Sequence, residues 1–131
     1  MSRPQRKVAS GVTFDAGALV ALERGDGRIR ELLRLVARVS IPAGVLAQVW
    51  RTGSGRQAPI ARLIADRDVS EVVALDEEEA RAVGRRISQC AHPDVVDVHV
   101  ALCARQRGQR VVTSDPAHIA RADPGLEIVP I

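Results

Sequence analysis

The chain has 131 residues and a mass of 14.1 kDa, a length that predicts one domain, residues 1–131, around a single core. Its net charge of +3 permits contact with phosphate backbones without requiring it, and an aromatic content of 2% argues against nucleic-acid binding by base stacking. The start of the chain lacks the apolar segment of an export signal, and no apolar run is long enough for a membrane span. We therefore expect a cytoplasmic protein without a membrane partner.

Short apolar runs alternate with helical patterns along the chain, after a basic N-terminus, residues 1–10, that we expect to be flexible. Predicted strands lie in VTF (12–14), VSIP (39–42), VSEVVAL (69–75), RVVT (110–113) and LEIVPI (126–131). The first predicted helix follows Phe14, and we expect Gly25 and Gly27 to end it. Further helices are predicted in residues 28–38, 43–51, 56–68, 76–90, 92–107 and 116–121. This alternation predicts an α/β fold with a mostly parallel central sheet.

Two aspartates follow predicted strands directly. Asp15 comes after VTF, and Asp115 comes after VVTS. Ligands of parallel α/β sheets bind outside the carboxyl ends of the strands, so both acids are expected at one functional edge. Each acid also fits the N-cap of the helix that follows it, and this alternative stays open for each one alone.

The segment DVVDVHVALCA, residues 94–104, carries two further acids in an otherwise apolar helix. Asp94 and Asp97 are three residues apart and therefore share one helix face. Asp94 also fits an N-cap after Pro93, whereas Asp97 is predicted to lie inside the helix, where a buried carboxylate needs a positive partner. We find no such partner in the adjacent sequence, because His99 points to another side of the helix.

Three or four carboxylates at one site repel one another, by about 4 kcal/mol per pair at ~4 Å and an effective dielectric near 20. A hard divalent cation such as Mg²⁺ compensates this repulsion, because it prefers oxygen ligands. A metal held in this way activates water and stabilises an in-line displacement at a phosphodiester. The acids and the basic surface together indicate a nuclease.

Three segments resemble the acidic motifs of PIN-domain proteins, especially the bacterial VapC-type toxins. FDAGAL is similar to the first motif, DVVDVHVALCA to the third and TSDP to the fourth, in matching order from about Val12 to Ile131. The resemblance implies a PIN-like three-layer α/β/α sandwich and a Mg²⁺- or Mn²⁺-dependent endoribonuclease that cuts structured RNA such as tRNA or rRNA. It also implies a VapB-type antitoxin partner and a homodimer.

Matched to these motifs, the catalytic metal ligands are Asp15, Asp97 and Asp115, with Asp94 as an accessory ligand. Thr113 and Ser114 are expected to orient Asp115 or a metal-bound water. The helix AGVLAQVWR corresponds to the second motif, but Gln48 stands where the family has a glutamate. An amide oxygen remains available there, although the lost charge should weaken metal binding.

The remaining polar residues give weaker signals. Arg51 and Arg56 flank the second motif and are candidates for RNA phosphate contacts, with solvated surface charge as the alternative. The three histidines show no mutual ligand spacing, and the cysteines show no Cys/His spacing, so we assign none of them a role. These residues are His92, His99, His118, Cys90 and Cys103.

Two other functions compete with the nuclease. A PIN-like module with a degraded site would bind RNA or protein without cleavage, and Gln48 favours this alternative. A phospho-acceptor receiver domain has a similar size and α/β build, but it is expected to use paired acids after the first strand and a late lysine. Here Asp15 has no acidic neighbour and Lys7 is the only lysine, which ranks this function last.

Overall fold

The computed structural model describes residues 11–53 and 55–131, so the predicted flexible segment 1–10 lies outside the described residues. Within them, the predicted alternation of strands and helices is confirmed. The strands are β1 (Val12–Phe14), β2 (Val39–Pro42), β3 (Ser70–Val73), β4 (Arg110–Thr113) and β5 (Ile128–Pro130). The helices are α1 (Ala16–Glu23), α2 (Gly27–Leu35), α3 (Ala43–Val49), α4 (Ala58–Ala65), α5 (Glu77–Cys90), α6 (Val95–Arg107) and α7 (Pro116–Ala122), with a 3₁₀ helix (Gly55–Gln57) before α4.

The first helix boundary differs from the prediction at one glycine. Gly25 does follow the end of α1, with a φ of 77° that favours glycine. The prediction that Gly27 also ends this helix was wrong, because Gly27 is the first residue of α2. Asp26 starts that helix by accepting a hydrogen bond from the Arg28 backbone N–H at 2.7 Å.

The central sheet has the strand order β3-β2-β1-β4-β5, and every pair of neighbouring strands is parallel. Parallel strands need crossover connections, which the helices supply, and such crossovers cover both faces of a sheet. β1 lies in the centre and pairs with β2 on one side and β4 on the other. The predicted α/β architecture with a mostly parallel sheet is confirmed.

The helix α6 is the main packing partner of the sheet, since it contacts β1, β2 and β4. Its side chains Val98, Val100 and Ala104 are fully buried, as are Val12 and Phe14 of β1. The other side of α6 packs against α5 and α7. This two-sided burial explains why α6 is apolar nearly all round.

None of the helices in residues 11–53 and 55–131 combines the length and the hydrophobicity that a bilayer crossing requires.

Candidate active site

The acidic edge is the carboxyl end of β1 and β4, together with the first turn of α6. Thr13 of β1 is in register with Val111 of β4, so the two strands end side by side. Asp15 follows β1, and its backbone N–H donates to the Val112 carbonyl at 3.2 Å, whereas Asp115 lies two residues beyond β4. The strand ends therefore bring both acids to the same edge of the sheet.

Three of the four predicted acids cap helices at this edge. Oδ1 of Asp15 accepts from the Ala18 backbone N–H at 2.9 Å, and Oδ1 of Asp94 accepts from the Asp97 backbone N–H at 2.9 Å. Oδ1 of Asp115 accepts more weakly, from the His118 backbone N–H at 3.5 Å. Each of these caps uses one oxygen of a carboxylate, so the capping alternative and a second role are compatible.

Asp97 is placed differently from the prediction. The helix α6 begins at Val95, so Asp97 lies in its first turn rather than in its interior, where the helix dipole favours negative charge. Its missing partner is His92, whose Nε2 lies 3.0 Å from Oδ2 of Asp97. The expectation that no neighbouring residue compensates Asp97 was wrong, because buried His92 precedes the helix and folds back onto it.

A second histidine links the acids. Nδ1 of His118 lies 2.7 Å from Oδ2 of Asp115 and 3.8 Å from Oδ2 of Asp97. The rings of His118 and His92 are 5.5 Å apart between centroids. The sequence indicated no role for these histidines, and the structure shows that both contact the predicted acids. Only the three-residue spacing from Asp115 to His118 on α7 could have indicated one of them.

Asp15 is the most buried acid of the edge, with 8% of its surface exposed. Burial raises the pKa of Asp15, and the negative charge of Asp97 raises it further, against the lowering effect of hydrogen bonds from Thr113 and Ala18. The carboxylates of Asp15 and Asp97 therefore interact electrostatically, by repulsion, across the acidic edge. An added cation would relieve this repulsion, which is the electrostatic condition for a metal site.

The two predicted hydroxyls lie between the acids. Oγ1 of Thr113 accepts from the Asp115 backbone N–H at 2.8 Å and so fixes the chain at this acid. Oγ of Ser114 sits against Gly17 so closely that a Cβ at Gly17 would collide with it. The glycine of FDAGAL therefore permits the turn after β4 to approach α1.

The second predicted motif forms a separate, basic surface. Gln48, Arg51 and Arg56 line one cavity of about 220 Å³ beside α1. Nη1 of Arg51 donates to the Trp50 carbonyl at 2.6 Å, which fixes part of its guanidinium to its own helix end. A further cavity of about 320 Å³ on α1 is lined by Arg24 and Ser114, and both cavities include Val20. Arginines thus surround α1 on the approach to the acidic edge.

The donor atoms of the acidic edge suit a hard ion in kind. They are carboxylate oxygens, the ligands that Mg²⁺ and Mn²⁺ prefer, and Asp115 and Asp97 are held through imidazole nitrogens in the metal-free protein. Among the described residues, three donors within 4.8 Å of one another are found only in a different place, at Glu79, His99 and Cys103. The carboxylates of the acidic edge must therefore move closer together to bind one ion.

Comparisons with known proteins give one kind of match. No protein-family model and no curated protein sequence matches the chain. The solved structure of FitAB bound to an IR36 DNA fragment has a chain with a TM-score of 0.63 and 17% identity, over 91% of this chain and 94% of that one. The crystal structure of FitAcB from Neisseria gonorrhoeae gives a TM-score of 0.56 and 13% identity, over 89% and 95%. This similarity supports the resemblance seen in the motifs, and the chain has the PIN-like α/β/α fold that those motifs predict.

Proposed function

We propose that the protein is a Mg²⁺- or Mn²⁺-dependent endoribonuclease that acts as the toxin of a VapBC-type toxin–antitoxin pair. The observation that supports this best is geometric: Asp15 and Asp115 follow neighbouring parallel strands, and Nδ1 of His118 lies 2.7 Å from Asp115 and 3.8 Å from Asp97. The PIN-like fold and the fit to chains of FitAB and FitAcB support the same assignment.

In this proposal Asp15, Asp97 and Asp115 hold the ion, with Asp94 as an accessory group, whereas Gln48 lies in the arginine-lined cavity beside α1. The ion, when bound, supplies an activated water and offsets negative charge on the scissile phosphate. His92 fixes the carboxylate of Asp97 at 3.0 Å, and Thr113 fixes the backbone of Asp115 at 2.8 Å. These two contacts orient Asp97 and Asp115 individually, and the carboxylates then close around the ion.

The substrate of the proposal is structured RNA of the tRNA or rRNA class. The two arginine-lined cavities flank α1, and the acidic edge starts at the N-terminus of the same helix. In this proposal Arg51 and Arg56 in one cavity and Arg24 in the other bind phosphates of an RNA strand that crosses α1, although Glu23 and Asp26 also line these cavities. A VapB-type antitoxin and a homodimer remain part of the proposal through the family resemblance, and a small neighbouring reading frame for a DNA-binding antitoxin would support it.

A PIN-like RNA- or protein-binding module without cleavage is the second candidate. Gln48 favours it, because this amide lies among arginines in its cavity and brings no negative charge to the site. The two candidates differ in one property, since both bind RNA and only the first cuts it.

RNA cleavage with Asp97→Asn separates these candidates. We expect purified protein to cut a tRNA and rRNA panel with Mg²⁺ or Mn²⁺ and to stop with a chelator. The Asp97→Asn variant should lose more than about 100-fold in rate, because the amide removes a charge at the proposed metal. The matched control is Asp66→Asn, an exposed acid before the amino end of β3, which should keep full activity.

The same pair of variants can be tested in cells. Expression of the wild-type chain alone should arrest growth, and Asp97→Asn should relieve the arrest whereas Asp66→Asn should not. Undiminished arrest by Asp97→Asn contradicts the proposed mechanism. Metal binding at the acidic edge without cleavage of any RNA by clean protein favours the binding module.

A further inference from the structure

A second group of polar side chains lies away from the acidic edge, between α5 and α6. Glu79 is in the first turn of α5, and His99 and Cys103 are one turn apart on α6. Residues four apart share one helix face, so both point to the same neighbour. One donor atom from each of the three side chains lies within 4.8 Å of the others.

The histidine of this cluster has an unexplained atom. His99 is 1% exposed, and its Nε2 lies 3.1 Å from Oε2 of Glu79. Its Nδ1 is buried and has no hydrogen-bond partner among the described residues. A buried polar atom without a partner costs about 1–3 kcal/mol, and this Nδ1 lies on the other side of the ring from the Nε2 that contacts Glu79.

The glutamate also departs from its expected local role. Asp76 and Glu79 have the spacing of a capping box, and Asp76 does accept from the Glu79 backbone N–H at 2.9 Å. The carboxylate of Glu79, however, contacts His99 at 3.1 Å and Gln106 at 3.3 Å, both on α6. Glu79 therefore joins the two helices, and its partly exposed side chain gives an ion a path from solvent.

We propose that Glu79, His99 and Cys103 bind a transition-metal ion of the Zn²⁺ class and so clamp α5 to α6. One carboxylate oxygen, one imidazole nitrogen and one sulfur are a donor set for Zn²⁺ or Co²⁺ and a poor one for Mg²⁺. Zinc–ligand bonds of 2.0–2.3 Å place ligand atoms roughly 3.3–3.8 Å apart. Because the three donor atoms lie within 4.8 Å of one another, they need to close by at most roughly 1–1.5 Å to bind one ion.

The charges of the cluster are compatible with this ion. A cysteine thiol is protonated at neutral pH, whereas a sulfur bound to Zn²⁺ is a thiolate. On binding, the S–H bond breaks, the sulfur–metal bond forms and the proton passes to solvent. The thiolate and the Glu79 carboxylate then balance the two charges of the ion. Arg107 lies 3.7 Å from Sγ of Cys103, but its guanidinium pairs with Glu71 at 3.3 Å, which offsets its charge.

Cobalt substitution tests the site directly in the full chain. Titration of the metal-free protein with Co²⁺ should produce a saturable sulfur-to-cobalt charge-transfer band in the near ultraviolet and release one proton per ion. Cys103→Ser should remove the band, whereas Cys90→Ser should keep it, since Cys90 is the other cysteine and lies outside the cluster. Zn²⁺ should compete for the site and raise the thermal midpoint of wild type but not of Cys103→Ser.

Two more variants test the metal site independently of Cys103→Ser and separate it from the acidic edge. Glu79→Gln alters a partly exposed side chain without emptying the core, and it should weaken Co²⁺ affinity about 10–100-fold even if Cys103→Ser fails to fold. Asp97→Asn should leave the band unchanged, which separates this site from the proposed nuclease centre. Absence of the band in wild type, or unchanged Co²⁺ affinity in Glu79→Gln, would overturn the proposal and leave the proposed function intact.

Discussion

The acidic edge and the α5–α6 cluster each join an imidazole to a carboxylate at nearly the same distance. His92 lies 3.0 Å from Asp97, and His99 lies 3.1 Å from Glu79. Their surroundings differ in degree, because His92 is 6% exposed at the end of the sheet, whereas His99 is 1% exposed between two helices. Equal contact distances therefore carry different energies, since a buried group that loses its partner also loses its access to water.

The donor types follow the same division. The donors of the acidic edge are carboxylate oxygens, from buried Asp15 and from the partly or largely exposed Asp97 and Asp115, and hard ions prefer such oxygens. The cluster mixes oxygen, nitrogen and sulfur and is largely closed, as a site with a structural role requires. Substitutions at the two histidines measure this difference.

The largest effect is expected at the cluster, from His99→Ala. Removal of this buried ring leaves a cavity and takes the imidazole partner from Glu79, which keeps its contact with Gln106, and we expect the free energy of unfolding to fall by about 2–4 kcal/mol. Denaturant unfolding in the presence of a chelator measures this loss without any contribution from an ion. A loss below about 1 kcal/mol would mean that the ring contributes little to the packing of α5 on α6.

A smaller effect is expected at the acidic edge, from His92→Ala. The variant removes the partner of Asp97, and the free energy of unfolding should fall by about 1–2 kcal/mol. A double-mutant cycle with Asp97→Ala isolates the pair, with an expected coupling above about 0.5 kcal/mol. His118→Ala is the matched control, because this ring is 45% exposed and its pair with Asp115 should contribute less than about 1 kcal/mol. Equal falls in unfolding free energy for His92→Ala and His118→Ala would show that burial does not strengthen the histidine–aspartate pairs of this edge.

The sequence predicts one of these two regions far better than the other. Strand patterns and the rule for parallel sheets place Asp15 and Asp115 at one edge, and the register of β1 with β4 agrees. The partner of Asp97 escapes the prediction because His92 lies in the turn before α6, where helical spacing does not apply. The boundary of α6 is part of the same error, since a start at Val95 moves Asp97 from the interior to the first turn.

The cluster escapes prediction for a different reason. His99 and Cys103 do have a helical ligand spacing, which the search for sequence-adjacent cysteine motifs overlooks. Their third member, Glu79, is twenty residues away from His99 and is brought near only when α5 packs on α6. Contacts between helices depend on packing and crossing angle, and one sequence carries no direct signal of either.

The smallest effect is a pH dependence that contrasts two aspartates with the same capping role. Asp15 caps α1 and Asp26 caps α2. Burial raises the pKa of Asp15 above its ordinary 3.8, whereas the hydrogen bond from Arg28 lowers the pKa of partly exposed Asp26. Near pH 3.8 the folded protein therefore binds more protons at Asp15, and fewer at Asp26, than the unfolded chain does. As the pH rises, Asp15 thus lowers the free energy of unfolding, whereas Asp26 raises it.

Asp15→Asn and Asp26→Asn measure these slopes in metal-free protein. As pH rises from below 3.8 to neutral, wild type loses the stability that protonation of Asp15 provides, so Asp15→Asn should gain on wild type. Over the same rise wild type gains the contribution of ionised Asp26, so Asp26→Asn should lose relative to wild type. Thermal midpoints of the three proteins across this range give both differences, and fixed losses from altered caps cancel because they do not vary with pH. If the thermal midpoints of the two variants changed with pH in the same direction relative to wild type, burial and the charge of Asp97 would not raise the pKa of Asp15. The electrostatic support for a cation at the acidic edge would then be lost.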